Sequence, residues 1–367
     1  MLMKKNDHQN SKMVRKTKDI ISIIFLSLVS LLALTFCIGL LLSNADLRRR
    51  IEAKTSELDA IEKEGYFTTA QTEQLVENAA AEAESETLTN VRTQFKDILG
   101  SKGSLTAIRD MFPDDIIVAS NGEYLFYPID ENMERHGFKA EDFRVSSNGK
   151  LDYIGPDESV QPQFGIMVSR YNGEINFENV KSVGVDFVMV RVGLRGSSED
   201  ASLVEDDFFR QNVNGALAAG LKVGVYFDSS AINAREAEEE ADYILSLISP
   251  YEITYPVAIM IEASDSPESR TVNLTSSDYT KIIDSYCGKV KDAGYKPMIY
   301  GNIVAYTEYI EPEMQKKYPV WFSFNGDRPY YPYRFDMWEY TRNGYIYGID
   351  GGANFIMCMT DYSTDEE

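Results

Sequence analysis

Carboxylates at the ends of apolar runs are the residues of this sequence best suited to carry chemistry. Glu262 follows "YPVAIMI", Asp228 follows "VGVYF", and Glu339 stands in "FDMWEY". Two facing carboxyl groups can divide general acid and general base work, as in the cleavage of glycosidic bonds. Met260, two residues before Glu262, points to the same face of a strand but is neither acid nor base. The alternative for Asp228 and Glu339 is that each is a solvated loop-edge charge.

The composition excludes several other chemistries. The only histidines are His8 and His136, so the large C-terminal part has neither a histidine triad nor a histidine-ligated metal. Cys37, Cys287 and Cys358 show no metal-ligand spacing. We therefore expect no metal and no cofactor, with proton transfer left to carboxylates or tyrosines. The net charge of −22 also makes nucleic acid an unexpected partner.

The N-terminal part has the composition of a membrane anchor followed by a stalk. Residues 1–19 are basic, and residues 20–42 carry no charge over a length that crosses a bilayer as a transmembrane helix. We predict a single-pass protein of the cell membrane with a cytoplasmic N-terminus and an extracytoplasmic remainder; the alternative is a signal peptide cleaved after Ala45. Residues 45–100 predict a helical stalk, through which a homo-oligomer could form.

Two further segments follow the stalk. Residues 104–161 contain two β-rich runs around the pair Asn121-Gly122, which suits a tight hairpin, and predict a small β-rich module. Over residues 164–363, eight short apolar runs alternate with helical patterns. This alternation predicts an α/β fold, an irregular (β/α) TIM-like barrel. Polar residues at the C-terminal ends of barrel strands point into the site, and the three carboxylates above all lie at such ends.

Several segments of the predicted barrel can be compared with a known family. They are "FGIMVSRYNGEINFENVKSVGVDFVMVRVGLRG", "YEITYPVAIMIE", "AGYKPMIYGN" and "FDMWEYTRNGYIYGIDGGANF". In order and spacing they resemble glycoside hydrolase family 25, the lysozyme family of N-acetylmuramidases. The resemblance implies a flattened β/α barrel, an acidic and aromatic groove at its C-terminal face, and the glycan strands of peptidoglycan as partner. It also implies that Glu262 is the general acid.

The sequence departs from the family pattern at three acidic positions. Met167 stands where the family has the Asp of "GIDVS", Met260 where it has an Asp two residues before Glu262, and Asn354 where it has an Asp near the end. Losing one electrostatic stabiliser of a transition state can cost on the order of 100-fold to 1,000-fold in rate. Glu262 alone is retained among the expected carboxylates.

Two functions therefore stay open at the level of sequence. One is a membrane-anchored muramidase that uses Asp228 or Glu339 as a replacement carboxylate beside Glu262. The other is a catalytically inactive glycan-binding or scaffolding module that kept the groove and lost the reaction. The anchor and stalk suit either function.

Aromatic residues at strand ends would suit stacking on sugar rings, although packing in the core is the alternative for each of them. Arg191, on the second barrel strand, is either a substrate contact or a partner that neutralises Glu262. The aromatic candidates are Tyr171, Tyr226, Tyr300, Trp321 and Trp338.

Overall fold

The chain folds as two compact units, Met1–Ser104 and Leu105–Glu367. The structure is a computed structural model. It describes residues 3–63, 69–99, 109, 112–120, 123–198, 200–262 and 266–362. The predicted hairpin turn at residues 121 and 122 lies outside the described residues.

The first unit consists of two long helices, α1 (Met3–Lys63) and α2 (Thr69–Leu99). Neither sequence contains proline, which would interrupt the helical hydrogen bonds. Arg50 of α1 lies 3.8 Å from Glu86 of α2. The segment Ile20–Glu57 is long and apolar enough to cross a membrane, as judged by length and composition. The role of this unit as a stalk and its pairing with a second copy stay predictions.

The second unit begins with two small antiparallel sheets. They are formed by β1 (Asp115–Ser120) with β2 (Glu123–Pro128) and by β3 (Phe143–Val145) with β4 (Leu151–Tyr153). Both sheets lie against the outside of the barrel. The Ile117 amide donates to the hydroxyl of Tyr330 at 2.6 Å, and the ring centroid of Phe143 lies 5.7 Å from that of Trp338.

Eight strands close the barrel, as the alternation of the sequence predicts. In order around the ring they are β5 (Gln163–Val168), β6 (Phe187–Arg195), β8 (Lys222–Asp228), β9 (Val257–Ile261), β10 (Pro297–Asn302), β11 (Val320–Ser323), β12 (Met337–Gly344) and β13 (Ala353–Cys358). Neighbours from β5 to β12 pair in parallel, whereas β13 is antiparallel to both β12 and β5. The short β7 (Leu203–Glu205) adds to β6 outside the ring.

Helices between the strands cover the outside of the ring. They are α3 (Phe177–Ser182), α4 (Phe209–Ala218), α5 (Ala234–Ile248), α6 (Ser276–Asp292) and α7 (Pro312–Lys317). The N-cap side chain of Asn233 accepts the Glu236 amide, and Thr275 and Asp278 form a reciprocal capping box. Such caps satisfy amides that the first helical turn leaves free.

Period-2 alternation along the strands decides which side chains enter the barrel. The interior contains five methionines, Met167, Met189, Met260, Met298 and Met337, together with buried aromatic rings. Inward residues therefore recur every second position, and the last of them on each parallel strand stands at the C-terminal mouth. Asp228 comes two residues after inward-facing Tyr226, and Glu339 comes two residues after inward-facing Met337. By this parity both carboxylates point into the mouth of the barrel.

A buried ion pair joins β6 to α5 and gives a first prediction. Arg195 Nε lies 2.7 Å from Glu240 Oε1, and both side chains are almost fully buried. Replacing Arg195 by methionine removes the cation beside a buried carboxylate, so we expect the free energy of unfolding to fall by about 3 kcal/mol at about pH 8. Denaturant unfolding of the full chain, followed by tryptophan fluorescence, measures this change.

The control for this prediction is the exposed pair Arg210–Glu205, whose atoms approach to 2.8 Å. Arg210→Met should cost less than about 1 kcal/mol, because exposed ion pairs are weak. Burial raises the pKa of Glu240 to about 7, so the cost of Arg195→Met should shrink at about pH 5, where Glu240 holds a proton in either variant. Equal losses from the two substitutions would contradict the assignment.

Candidate active site

Three carboxylates meet at the C-terminal mouth of the barrel. Asp228 ends β8, Glu262 directly follows β9, and Glu339 lies on β12. Asp228 is the register partner of Met260, so Asp228 and Glu262 stand at the ends of adjacent strands. Burial, followed by the negative charge of Glu262, raises the pKa of Asp228 to about 6, whereas the guanidinium of Arg191 lowers it.

Asp228 and Glu262 occupy different surroundings. Asp228 is half-buried, whereas the side chain of Glu262 is 43% exposed and lies 3.9 Å from the guanidinium Nη2 of Arg342. Asp228 thus retains a proton up to about pH 6, and Glu262 is the ion-paired, solvent-accessible member. Two carboxyl groups that differ in this way are suited to separate acid and carboxylate roles.

Glu339, unlike Asp228 and Glu262, is fully engaged in hydrogen bonds with its neighbours. Its side chain is 1% exposed and accepts the Tyr300 hydroxyl at 2.8 Å, Arg342 Nε at 2.8 Å and Asn354 Nδ2 at 3.3 Å. Burial raises the pKa of Glu339, and the charge of Arg342 opposes that shift. With both oxygens engaged, Glu339 acts as the anchor of Arg342 rather than as a free base.

Arg342 is a residue of the mouth that the sequence analysis did not predict. It reaches Ser323 Oγ at 3.2 Å as well as Glu339 and Glu262, and so links two of the three carboxylates. Arg342 is three positions after Glu339, so strict alternation along β12 would place it on the outer face of the barrel. The pairing of β12 with β13 shifts register after Glu339 and again after Thr341, and such irregularities re-aim side chains.

The mouth thus offers acids, hydroxyls and guanidinium groups. Among the described residues, no group of three or more His, Cys, Asp or Glu side chains is arranged to hold a metal ion. The arrangement places a carboxyl group with a raised pKa, Asp228, next to a second carboxyl group that lies near a guanidinium, and glycoside hydrolysis uses a pair of carboxyl groups.

The family of this barrel follows from comparison with known proteins. A family model described as glycosyl hydrolases family 25 matches residues 166–349, which is half of the chain. The chain belongs to glycoside hydrolase family 25. Lysozyme M1 of Streptomyces globisporus is 28% identical over 216 residues, which cover 55% of this chain and 69% of that protein.

Two solved structures of similar proteins are more distant. The modular autolysin LytC of Streptococcus pneumoniae is 21% identical, with a TM-score of 0.49, over 66% of this chain and 56% of LytC. This chain therefore spans little more than half of the length of LytC. A bacterial lysozyme of Streptomyces coelicolor is 22% identical, with a TM-score of 0.46, over 54% of this chain and 92% of that lysozyme.

The three positions at which family 25 is expected to carry acids line the mouth with uncharged side chains. Met167 and Asn354 are register partners on adjacent strands, with Asn354 Nδ2 3.7 Å from the Met167 sulfur. Met167 and Met260 are buried in the barrel interior. Thioether side chains therefore stand at two of the three positions where family 25 is expected to have acids.

Arg191 has a different partner from the one that the sequence suggested. Its Nε lies 2.7 Å from Asp206 Oδ2 and not beside Glu262, whose guanidinium partner is Arg342. Asp206 is buried and also accepts the Arg170 amide, which holds the loop after β5 in place. One buried nitrogen of Arg191, Nη2, makes no hydrogen bond.

The aromatic candidates divide into one exposed and four buried side chains. Tyr171 is 76% exposed, and its ring centroid lies 4.9 Å from the Arg191 guanidinium at the rim of the mouth. Tyr226, Tyr300 and Trp321 fill the barrel interior. Trp338 follows inward Met337, so alternation turns it outward, where its Nε1 donates to the Phe324 carbonyl at 2.9 Å. Of the five, Tyr171 alone has a ring face open to a sugar.

Proposed function

We propose that this chain is a membrane-anchored protein that binds peptidoglycan glycan strands in the barrel mouth and hydrolyses them slowly. The observation that carries the proposal is the placement of Asp228 beside Glu262 at the ends of adjacent strands, with the pKa of Asp228 raised to about 6. The family supplies the substrate class, since the curated relative Lysozyme M1 is named for lysozyme activity.

In this mechanism the two carboxyl groups divide the reaction. Protonated Asp228 gives its proton to the glycosidic oxygen as the bond to the anomeric carbon breaks, and the carboxylate of Glu262 faces the positive charge that develops on the sugar ring. Water then adds to the anomeric carbon and gives a proton to the Asp228 carboxylate, which restores the protonated acid for the next cycle. The resemblance assigned the acid role to Glu262; the proposal moves it to Asp228 because Glu262 is paired with Arg342.

The proposed location follows from the first unit. Residues 20–42 serve as an uncleaved anchor, the basic residues before them stay in the cytoplasm, and the barrel lies outside the membrane, next to the cell wall. Such an anchor would keep a slow enzyme at high local concentration over its insoluble substrate.

The test is the pH dependence of reducing-end release from purified peptidoglycan by the full-length protein in detergent. Since the protonated form of Asp228 is the active one, the rate should fall about tenfold per pH unit above about 6. Asp228→Asn should lower the rate by at least about 100-fold and abolish that inflection. A profile that keeps its inflection in Asp228→Asn would exclude Asp228 as the proton donor.

A second candidate is glycan binding without hydrolysis. It is favoured by the engagement of Glu339 with Arg342 and by the thioethers of Met167 and Met260 at two positions where the family is expected to have acids. Under this candidate the protein sediments with peptidoglycan, releases no reducing ends at any pH, and is unaffected by Asp228→Asn.

A further inference from the structure

We infer that the groove between the β12–β13 loop and helices α3 and α4 is a second glycan-binding surface, which takes a neutral or amine-bearing sugar chain that extends from the mouth. The inference rests on the proposed function, since it assumes that the mouth binds a glycan. It adds a surface outside the barrel opening, built by residues that take no part in the proposed proton transfers.

Exposed aromatic rings point to this surface. Among the described residues of the second unit, three aromatic side chains are exposed, and two of them, Tyr345 (68%) and Tyr347 (57%), lie on the β12–β13 loop. Between and beside them Ile346 and Ile349 are buried, so the loop is anchored by its apolar residues while it presents its tyrosines. Exposed tyrosine faces suit sugar rings because they offer apolar contact and keep a wet hydroxyl.

The loop is held against α3 by its backbone. The Asn176 amide donates to the Gly348 carbonyl at 2.9 Å. Gly348 has φ of +104°, and a Cβ at this position would lie 2.5 Å from the Asn176 carbonyl oxygen, so the close approach requires glycine. A loop fixed in this way loses little conformational freedom when a ligand binds.

The lining of the groove selects the class of ligand. Its volume of about 840 Å³ is within the range of ligand sites. Glu174, Glu178 and Asp350 contribute carboxylates, Asn176 and Asn179 contribute amides, and the described residues that line it include no lysine or arginine. Such a surface repels phosphate-rich polymers and favours ligands with hydroxyl, amide or ammonium groups.

The groove is connected to the mouth through the loop after β5. Asn172 Nδ2 contacts the Gly352 carbonyl at 3.5 Å, which joins this loop to the end of the β12–β13 loop. Tyr171, the third exposed aromatic residue, stands on the same loop with its ring over Arg191 of the mouth. A glycan strand that leaves the mouth past Tyr171 would therefore meet Tyr345 and Tyr347 next.

The experiment measures binding of short and long peptidoglycan glycan strands to the full-length protein in detergent. We expect Tyr345→Ala with Tyr347→Ala to weaken binding of long strands at least about tenfold and to leave binding of a disaccharide unit unchanged. Tyr345→Phe with Tyr347→Phe keeps both ring faces and should retain most of the affinity. Val204→Ala with Val272→Ala removes exposed apolar side chains elsewhere and is the matched control.

The outcomes separate this inference from the proposed function. If the unmodified protein binds long strands and the double alanine variant binds them equally well, the groove is not a glycan surface and the mouth alone binds. If the unmodified protein binds strands of neither length, the proposed function fails and the inference falls with it. A groove that bound a polyphosphate polymer in a manner dependent on Tyr345 and Tyr347 would overturn the assigned ligand class.

Discussion

Replacing Glu262 by glutamine is expected to lower the rate of reducing-end release by about 1,000-fold, the upper end of the range for loss of one electrostatic stabiliser of a transition state. Glutamine keeps the shape of the side chain but removes the negative charge of Glu262. In the unmodified protein this charge faces the reacting sugar and contributes to the raised pKa of Asp228. Affinity for the glycan should change little, because Arg342 remains paired with Glu339 at 2.8 Å. Rate and binding are measured on the same full-length preparation with purified peptidoglycan.

Two comparisons sharpen this prediction. Glu313→Gln, an exposed glutamate on α7, should leave the rate unchanged. Without the charge of Glu262, the pKa of Asp228 should move down, so the small residual rate of Glu262→Gln should begin to fall at a lower pH than in the unmodified protein. Equal rates for Glu262→Gln and the unmodified protein would remove Glu262 from the mechanism.

Restoring aspartate at Met167, Met260 and Asn354 together is expected to raise the hydrolysis rate on the order of 100-fold or more. Met260 is the register partner of Asp228, and Met167 and Asn354 are partners of each other beside Glu339. Carboxylates at these positions would add the negative potential that an oxocarbenium-like transition state requires. Reducing-end release by the triple variant and by each single variant measures the gain.

The structure also predicts that this gain has a stability cost. Met167 and Met260 are buried, so aspartates there lose hydration, and aspartate at position 354 removes a donor from Glu339 and adds a like charge. Met298→Asp is the control, because fully buried Met298 is the register partner of Ala258, two residues before Met260 on β9, and should cost stability without raising the rate. A folded triple variant that released no more than the unmodified protein would show that the lost acids do not limit the reaction.

The sequence predicted the features that follow from the alternation of inward and outward side chains along a strand. It did not predict the features that arise where this alternation is interrupted. Eight apolar runs separated by helical patterns predicted the eight barrel strands, and their C-terminal ends predicted that Asp228, Glu262 and Glu339 share the mouth. Arg342 was not predicted, because two register shifts in the pairing of β12 with β13 turn it inward. The hydrophobic pattern of a single strand carries no information about a register shift relative to its neighbour.

Partners distant along the chain were equally hard to predict. Asp206, which binds Arg191, lies 15 residues further on in a loop after β7, and only the tertiary fold brings them together. Trp338 illustrates a different limit. Barrel strands are buried on both faces, so an apolar or aromatic residue fits either side, and composition alone does not reveal which one faces in.

The five methionines inside the barrel have a consequence for how this family member could change over time. Unbranched thioether side chains adapt their torsions to irregular spaces, so a neighbouring residue can be exchanged without opening a void. Because the methionine side chains beneath the mouth can adjust, individual acids at the mouth can be lost or regained while the barrel strands keep their positions. The identity of the acids at the mouth and the architecture of the barrel are thereby uncoupled, since one can change without the other.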